Sequence, residues 1–546
     1  MTDFDRPTDV PDEPTAGDPA PEPPAVAPPS DGETEPASVS EEAPTQAASE
    51  PPEPPAPKPV ARPRKRPAAK SAAPRTRRPS RAKAVPHLTP AESVAVGKVE
   101  RAEVTRSAHA DWTAPSDRRD PVDLLEEQAA SRVTELVPIR YGRMLVSPFA
   151  FYRGGAYVMA SDLAGLPRTG LQVQLCGDAH LSNFGAYAAP DRRLVFSVND
   201  FDETLPGPFE WDLKRLVASF AVAGRDRGFT AKQRQAINRT VTRSYRAAIK
   251  EFAGMDTLDE WYARIEVDQI VEALRRQGTK KQLKQLDSEV AKAESRTSLR
   301  ALSKLTHLVD GEPRIVSDPP TIVPVSELAK PGEPKAAADF LRGLFRSYRE
   351  TLPGDRRRLL ERFRYADAAR KVVGVGSVGT RAWIVLLLGR EGDPVFLQAK
   401  EAQASVLEAF LGKSKFPSHG QRVVEGQQLT QAAGDIMLGW LRAPDPDGVE
   451  RDYYVRQLWD AKGSANVAVM GPKTMGMYAQ VCGWALAKGH SRSGDAIAID
   501  SYLGSSDAMD RSLAAFAEAY ADQNEKDYKA LQAAVASGRV TAETGV

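Results

Sequence analysis

The sequence has few cysteines and histidines and no long apolar run. Two cysteines, Cys176 and Cys482, cannot form a disulfide framework, and their number fits a reducing compartment. The six histidines form no H-E-x-x-H pattern, which argues against a zinc site. No run approaches the ~20 apolar residues of a membrane-spanning helix, and no apolar core follows a basic amino terminus. We therefore expect a cytoplasmic protein without a signal peptide or transmembrane segment.

The first 90 residues also lack the apolar side chains from which a core is built. Residues 1–56 carry 14 acids and one arginine, whereas residues 58–84 carry 11 lysines and arginines and no acid. Segments of this composition bury too little surface to offset the entropy of ordering, so we predict a disordered tail over residues 1–90. Its basic part, residues 58–84, could contact a polyanion weakly, or could simply keep the chain soluble. It has no aromatic residue to stack on bases.

The densest chemical pattern lies in Leu171–Leu216, where two short apolar runs are each followed by polar residues. The runs Gln172–Cys176 and Leu194–Val198 are typical of buried strands. Four polar residues follow them: Asp178, Asn183, Asp200 and Asp202. Polar side chains at strand ends are held rigidly yet face a cleft, which suits metal and phosphate chemistry. The alternative is a set of acids in ordinary salt bridges.

The spacing D-x-x-x-x-N from Asp178 to Asn183 is that of a kinase catalytic loop, in which the Asp accepts the hydroxyl proton and the Asn binds a metal. Asp200, in NDFD, matches the metal-binding Asp of the next hairpin. The segment GDAHLSN resembles the catalytic loop of aminoglycoside phosphotransferases and related small-molecule kinases. That resemblance implies that Asp212, in PFEWDLKRL, braces the loop, and that His180 bonds to the loop backbone.

Two supporting roles are predicted near this pattern. Asp202 is expected to act behind the metal-binding residues. Arg140, Arg143 and Arg153 precede the loop and could clamp phosphate bidentately, with Arg153 the preferred candidate. The alternative is that these arginines are structural.

A second pattern lies about 200 residues later, in KVVGVGSVGTRAWIVLLLGREGDPVFLQAKEA. A dinucleotide-binding fold needs a helix after its glycines, but here two strands follow, and no G-K-[ST] marks a Walker loop. A glycine hairpin followed by a strand lysine covers the nucleotide in kinases. Gly374, Gly376, Ser377 and Gly379 are therefore candidates to cradle phosphates, and Lys400 is the candidate to hold them. The alternative for Lys400 is a surface lysine at a strand end.

A lysine that binds phosphate needs a carboxylate partner to fix it. Glu425 lies in the helical stretch HGQRVVEGQQLTQAAG, just before the next predicted strand, where the partner helix of a kinase lies. Glu408, in SVLEAF, is the alternative.

The order of the two patterns is reversed relative to kinases, which favours circular permutation at a surface loop. We predict an α+β, two-lobed protein-kinase-like fold with permuted order, preceded by the tail. Residues 91–350 form part of a helix-rich large lobe, residues 351–470 a small antiparallel β lobe, and residues 471–546 helices that return to the large lobe. Apolar residues at helical spacing predict several helices after the catalytic loop, one of them across Asp259–Gln277.

From about residue 120 to 530 the chain is also identified as a member of a bacterial family, the domain of unknown function 2252 family. The carrying motifs are SPFAFYRG, CGDAHLSNFG, NDFDET, GPFEWDLKRL, VGVGSVGT, QAKEA, RVVEGQ and YYVRQLWD. The family name implies no activity. The glycine motif departs from kinases in lacking a V-A-V-K-type strand.

These patterns together predict phosphoryl transfer from ATP, with Mg²⁺, to a hydroxyl of a small molecule or a protein. Asn183 and Asp200 would hold Mg²⁺, Asp178 would deprotonate the acceptor, and Lys400 with Glu425 would hold the donor. The alternatives are AMP transfer by the same site and a non-catalytic ATP-binding regulatory module. A metallophosphoesterase, suggested by GDAH, would need several more histidines.

Overall fold

The structure is a computed structural model that describes residues 87–277, 279–328, 334–372, 374–444, 448–458 and 461–545. Nearly all of the tail predicted over residues 1–90, including its basic part, lies outside these ranges. The described residues mix helices with antiparallel sheets, which confirms the α+β class. Among them, no helix combines the length and the apolar character needed to cross a membrane.

The helices alternate with strands along most of the chain. Up to residue 262 the helices are α1 (Pro90–Glu103), α2 (Pro121–Ala129), α3 (Val137–Met144), α4 (Pro148–Gly154), α5 (Ala156–Ala164), α6 (Phe209–Asp226), α7 (Ala231–Ala253) and α8 (Thr257–Tyr262). They are followed by α9 (Val267–Gln277), α10 (Lys280–Glu294), α11 (Ser298–Leu305), α12 (Val325–Leu328), α13 (Pro334–Thr351), α14 (Gly354–Leu360), α15 (Glu408–Leu411), α16 (His419–Thr430), α17 (Pro472–Ser491), α18 (Ala496–Leu503) and α19 (Ala508–Ala536).

The strands form four antiparallel groups. They are β1 (Gln172–Leu175), β2 (Phe184–Ala188), β3 (Leu194–Val198), β4 (Leu205–Pro208), β5 (Ile265–Glu266), β6 (Thr306–Val309), β7 (Glu312–Ile315), β8 (Ile322–Pro324), β9 (Arg364–Lys371), β10 (Ala382–Leu388), β11 (Pro394–Glu401), β12 (Gly439–Pro444), β13 (Glu450–Gln457) and β14 (Gly463–Ser464). The sheet orders are β1-β4, β14-β2-β3-β5, β6-β7 and β12-β13-β11-β10-β9-β8.

Two strand pairs bring the predicted catalytic and metal loops to the same place. β1 pairs with β4, with Leu175 opposite Leu205, and β2 pairs with β3, with Phe184 opposite Val198. The β1–β2 loop therefore runs from the first strand pair to the second. The β3–β4 loop runs back from the second pair to the first, next to it. The amide of Asn199 donates to the carbonyl of Asn183 and ties them together at 2.8 Å.

The six-stranded sheet carries the second pattern. β9 and β10 flank the glycine loop, and the tight β10–β11 turn leads to Lys400, which lies opposite Ala382 and Tyr454 in the sheet register. β10 reads AWIVLLL, a nearly continuous apolar run, because both of its faces are buried. The sheet begins before residue 351, since β8 forms its edge strand.

Helix α6 lies at the centre of the main core. Its residues Phe209–Gly224 are all buried, and it packs with α7, α17 and α19. A helix whose residues are apolar, or polar with bonding partners, on every side is typical of a protein interior. Helix α6 follows β4 directly. The chain thus passes from the β3–β4 loop directly into a helix that is buried along most of its length.

The pair Asp120-Pro121, an N-cap residue followed by a first-turn proline, predicts the start of a helix. This prediction and that of one later helix can be checked against these elements. Helix α2 begins at Pro121 with the Asp120 carboxylate accepting from two backbone amides, as its sequence indicates. The continuous helix predicted across Asp259–Gln277 is wrong. The chain breaks it at β5, because Ile265 and Glu266 pair with β3 and this pairing outweighs the helical periodicity.

Candidate functional site

One cavity of about 680 Å³ collects residues from both patterns. Asp178, Asp200 and Asp202 line it from the strand-pair loops, and Gly376 and Ser377 line it from the glycine loop. Its other walls come from α2, from the turns around α4 and α5, and from the segment between β11 and α15. The structure thus brings together residues that lie about 200 positions apart in the sequence.

The catalytic loop is held by its own side chains. Asn183 Nδ2 donates to the Asp178 carbonyl at 2.8 Å, and His180 Nδ1 accepts from the Ser182 amide at 3.2 Å. His180 therefore bonds to the loop backbone, which is the role that the sequence suggested. Burial holds the pKa of His180 well below its usual range, so the ring is neutral. With Nδ1 an acceptor, the ring proton lies on Nε2, 3.8 Å from Asp178 Oδ2.

Asp178 is held by a buried arginine that the sequence analysis did not identify. Arg215 Nε donates to Asp178 Oδ1 at 2.7 Å, while its Nη2 donates to the Tyr152 carbonyl and its guanidinium stacks 4.3 Å from the Tyr152 ring. Within the described ranges Asp178 Oδ2 has no hydrogen bond, and the residue lines the cavity. Burial raises the pKa of Asp178, and Arg215 opposes that rise. The arrangement leaves one basic oxygen facing the cavity.

Asp212 braces the start of this loop from α6. Its carboxylate accepts from the amides of Cys176 at 2.7 Å and Gly177 at 3.0 Å, and lies 3.3 Å from His490 Nε2. The side chain is 2% exposed. This is the arrangement that the resemblance to small-molecule kinases implied for Asp212.

Lys400 meets the metal loop directly. Its Nζ lies 2.5 Å from Asp202 Oδ2 and 3.9 Å from Asp200 Oδ1, and the Tyr454 hydroxyl donates to Asp202 Oδ1 at 2.5 Å. Burial would raise the pKa of Asp202, but Lys400 and Tyr454 lower it. Burial and the charge of Asp202 raise the pKa of Asp200, with Lys400 opposing. Asp202 is thus ionised beside a cationic Lys400.

The predicted ion pair of Lys400 with Glu425 is wrong. The carboxylate of Glu425 contacts Gln421 of its own helix, at 3.4 Å, and Asp202 takes the partner role. The alternative, Glu408, lies 3.9 Å from Arg422 and 3.6 Å from His419.

The orientation of α16 explains this difference. Arg422 is buried, and it donates to the carbonyls of Asp202, Thr204 and Gln403 at 2.7–2.8 Å. Gly426 packs against Thr204, where a Cβ would approach to 2.5 Å. This helix therefore presents an arginine, and not Glu425, to the metal loop.

The glycine loop is anchored on the segment between α2 and α4. Arg132 Nη1 donates to the Val378 carbonyl at 2.5 Å, and the Val133 amide donates to the Gly379 carbonyl at 2.8 Å. Arg143 Nη1 donates to the Gly374 carbonyl at 2.6 Å. Gly374 and Gly379 have φ of +71° and +90°, a conformation that favours glycine.

Ser377 and Arg153 complete the wall near the carboxylates. Ser377 Oγ lies 3.5 Å from Asp202 Oδ2, and an added Cβ at Gly376 would lie 3.2 Å from the Arg153 carbonyl. Arg153 lines the cavity, and its charge interacts with Asp178 and Asp200 without an ion pair. Of the three arginines predicted to clamp phosphate, Arg153 is the one on the cavity wall. Arg140 is fully buried and Arg143 holds the glycine loop.

The oxygen donors near the cavity suit a hard cation. Asp200 keeps 31% of its side chain exposed, and the Asn183 amide has its nitrogen engaged with Asp178, which leaves Oδ1 as a ligand atom. In the part of the chain that the structure describes, no three His, Cys, Asp or Glu side chains lie together as metal ligands. Mg²⁺ commonly binds through one or two carboxylates plus substrate phosphates and water, so Asp200 and Asn183 fit it.

Glu203, next to Asp202, also lines the cavity and was not predicted. Its carboxylate accepts from the Val406 amide at 2.7 Å. Burial raises its pKa from 4.5 to about 7, opposed by that hydrogen bond and by Arg422. The folded state therefore holds this proton more tightly than the unfolded chain does.

Replacing Glu203 by Gln should remove a pH-dependent loss of stability. Because the folded pKa is raised, the stabilisation is fully present below pH 4.5 and is lost as the pH rises through 7. Between pH 5 and pH 8 the free energy of unfolding of the wild type, measured with urea, should fall by up to about 3 kcal/mol more than that of Glu203→Gln. Glu391→Gln, on the exposed β10–β11 turn, should follow the wild type. Equal losses in wild type and Glu203→Gln would contradict the raised pKa.

Several residues that hold the site together were not among the site residues predicted from the sequence. Arg215, Tyr454, Arg422 and Arg132 act through contacts between segments that are distant in the sequence. Arg215 alone had a usable signal, since it follows Asp212 on the same helical stretch at a spacing that directs it to the same side. The others depend on how the sheet packs against the loops.

Comparison with known proteins gives one family match. A sequence model of the family described as "Uncharacterized protein conserved in bacteria (DUF2252)" matches residues 132–534, which include the catalytic loop, the glycine loop and Lys400. No curated protein and no solved structure matches the chain.

Proposed function

The chain belongs to the DUF2252 family, and because this membership names no reaction, we propose one from the site: Mg²⁺-dependent transfer of a phosphoryl group from ATP to a hydroxyl group. The observation that carries the proposal is the position of Lys400 between Asp200 and Asp202, with the glycine loop on the same cavity. Phosphoryl-transfer enzymes hold the donor phosphates with a cationic side chain and a glycine loop, and place metal-binding carboxylates opposite them.

The same proposal includes a permuted kinase-like fold. Its support is the arrangement of β9 to β13: a glycine loop between two antiparallel strands, a lysine on the third, then α16, then two more strands. The carboxylate loops sit on the helix-rich part that contains α6, α7, α17 and α19. The catalytic loop precedes the glycine loop in this chain, which is the rotated order that the proposal requires, and Asp202 replaces the glutamate partner of the lysine.

Asp178 is the base in this mechanism. Arg215 fixes its Oδ1, so Oδ2 accepts the proton of an acceptor hydroxyl in the cavity. The acceptor oxygen forms a bond to the γ-phosphorus of ATP as the bond from that phosphorus to the ADP oxygen breaks, and the proton moves to Asp178. A pKa raised by burial makes Asp178 a stronger base than an exposed carboxylate.

Lys400 and the loop around Gly376 hold the donor phosphates. The Asp202 carboxylate and the Tyr454 ring, 5.4 Å from Lys400 Nζ, fix the lysine side chain in the absence of nucleotide. Backbone amides approach phosphate closely where no Cβ intervenes, which glycines permit. Asp200 and Asn183 would hold Mg²⁺, which neutralises charge on the phosphate oxygens when bound.

The proposal is tested by incubating the full chain with Mg²⁺ and either γ-labelled or α-labelled ATP, in the presence of a cell extract as the source of acceptor. We expect label from the γ position, and not from the α position, to appear in a product other than ADP or free phosphate. Transfer of the α label would support the AMP-transfer alternative. Mg²⁺-dependent ATP binding without any transfer would support the regulatory module.

Asp200→Asn should uncouple nucleotide binding from Mg²⁺. The substitution replaces a charged ligand with a weak neutral one of the same shape, so the fold should survive. Titration of the protein with ATP, with and without Mg²⁺, should show that Mg²⁺ no longer tightens binding. Asp191→Asn, on the exposed β2–β3 turn, should retain the full effect. If Asp200→Asn retains it as well, Asp200 is not the ligand.

A further inference from the structure

Three arginines beside the cavity, the buried Arg132 and Arg140 and the partly buried Arg153, lack the anionic partners that such groups require. Within the described ranges, none of Arg132, Arg140 and Arg153 has a carboxylate within 4 Å. Buried nitrogens without a hydrogen bond are Nε of Arg132, Nε and Nη1 of Arg140, and Nε of Arg153. Arg132 is 9% exposed and Arg140 is fully buried. We call these three residues the arginine cluster.

Arg132 and Arg140 of the arginine cluster are fixed in place by hydrogen bonds around the glycine loop. Arg132 bonds to the Val378 carbonyl and its side chain lies against Gly379, where a Cβ would come within 3.0 Å. Arg140 Nη2 donates to Gln128 Oε1 and to the Gly154 carbonyl, next to Arg153. Arg132 and Arg153 line the cavity, and Arg140 lies behind them. The guanidinium groups of Arg132 and Arg140 are therefore oriented before any ligand arrives.

An unpaired buried cation is unfavourable, and a buried donor without a protein partner is a site for water, an ion or a ligand. Burial lowers the pKa of all three arginines, to about 10 for Arg132. The acids that attract them are more than 4 Å away: Glu203, Glu401 and Asp202 for Arg132, and Asp178 and Asp200 for Arg153. An anionic group in the cavity would supply the missing counter-charge to Arg132 and Arg153, which line it.

We propose that the arginine cluster binds an oxyanion group, such as phosphate, carried by the acceptor substrate. Guanidinium groups bind oxyanions through paired hydrogen bonds, which a lysine cannot form, and Arg132 and Arg153 are the two members of the cluster on the cavity wall. The donor phosphates already have Lys400 and the glycine loop, so the cluster serves a second anion on the same cavity. The assignment to an acceptor rests on the proposed function, whereas the oxyanion site itself does not.

The site is tested with inorganic phosphate as the probe, titrated calorimetrically into the full chain in chloride buffer without nucleotide or Mg²⁺. We expect Arg132→Gln and Arg153→Gln each to weaken phosphate binding by roughly 10- to 100-fold, because each removes a charged hydrogen-bond donor. Arg132→Lys keeps the positive charge but loses the planar set of N–H donors. Its phosphate affinity should therefore lie between those of the two Gln variants and that of the wild type. Arg364→Gln, on an exposed ion pair with Glu312, should bind like the wild type. Thermal melting of each variant reports whether it folds.

Two further measurements separate the acceptor site from the donor site. Lys400→Ala should weaken ATP binding and leave phosphate binding intact. Phosphate should also bind when the protein is saturated with Mg²⁺ and a non-hydrolysable ATP analogue. Displacement of phosphate by that analogue would overturn the acceptor assignment, and equal phosphate affinity in wild type and folded Arg153→Gln would overturn the site. Retained phosphate binding without transfer of the γ label would instead refute the proposed function alone.

Discussion

Asp178→Asn is expected to lower the rate of phosphoryl transfer by roughly 10²–10⁴-fold, the usual effect of losing a general base. Asparagine has the same shape, and its Oδ1 can still accept from Arg215 Nε, so the loop should keep its structure. ATP and Mg²⁺ affinity should therefore survive while turnover falls. Initial rates with γ-labelled ATP, compared with binding titrations, measure the two effects separately.

The pH dependence of the wild type should report the same group. Asp178 must be ionised to act as a base, and burial raises its pKa. Activity should therefore fall with decreasing pH, and the fall should begin above the pH at which an exposed carboxyl group is protonated.

Lys400→Ala provides the contrast for Asp178→Asn, because it removes a phosphate contact and should weaken ATP binding. If Asp178→Asn loses ATP affinity as severely as Asp200→Asn does, Asp178 is a metal or structural acid. The base would then have to be another carboxylate on the cavity wall. Glu203, which is held by the Val406 amide, would be the first to examine.

Asp212→Ala is expected to destabilise the whole protein by roughly 2–5 kcal/mol. The substitution leaves the amides of Cys176 and Gly177 without their acceptor, and each buried donor left unsatisfied costs about 1–3 kcal/mol. Urea unfolding followed by circular dichroism measures the change in the free energy of unfolding.

Asp212→Asn is the matched control, because its remaining carbonyl oxygen can accept from one of the two amides. Its destabilisation should be clearly smaller than that of Asp212→Ala. A loss below about 1 kcal/mol for Asp212→Ala would mean that water replaces the carboxylate, and that Asp212 does not brace the loop.

Local patterns predicted the parts of the fold that local forces determine. The run Leu194–Val198 is strand β3 to the residue, and Asp120 caps α2. The position of Lys400 on its strand followed from the short β10–β11 turn, which leaves little choice of register.

The partner of Lys400 could not be predicted in the same way. The sequence of α16 offers both Arg422 and Glu425, and helical periodicity does not say which polar residue faces the loops. Close packing decides it, through Gly420 against the Tyr453 carbonyl and Gly426 against Thr204. A hydrogen bond from Tyr454 then fixes Asp202 as the partner of Lys400. Such contacts join distant segments and leave no periodic signal in the sequence.

The contacts that build the two halves of the cavity, the carboxylate half and the lysine half, differ in sequence separation. Asp178 and Arg215 are 37 positions apart and Cys176 and Asp212 are 36, whereas Lys400 and Asp202 are 198 apart. The entropy of closing a loop grows with its length, and folding slows as contacts become less local. The carboxylate half can therefore form early around α6 during refolding, while the lysine half must dock afterwards. Until it does, Asp202 lacks its counter-charge, so the capacity to bind nucleotide should be among the last properties that the refolding chain regains.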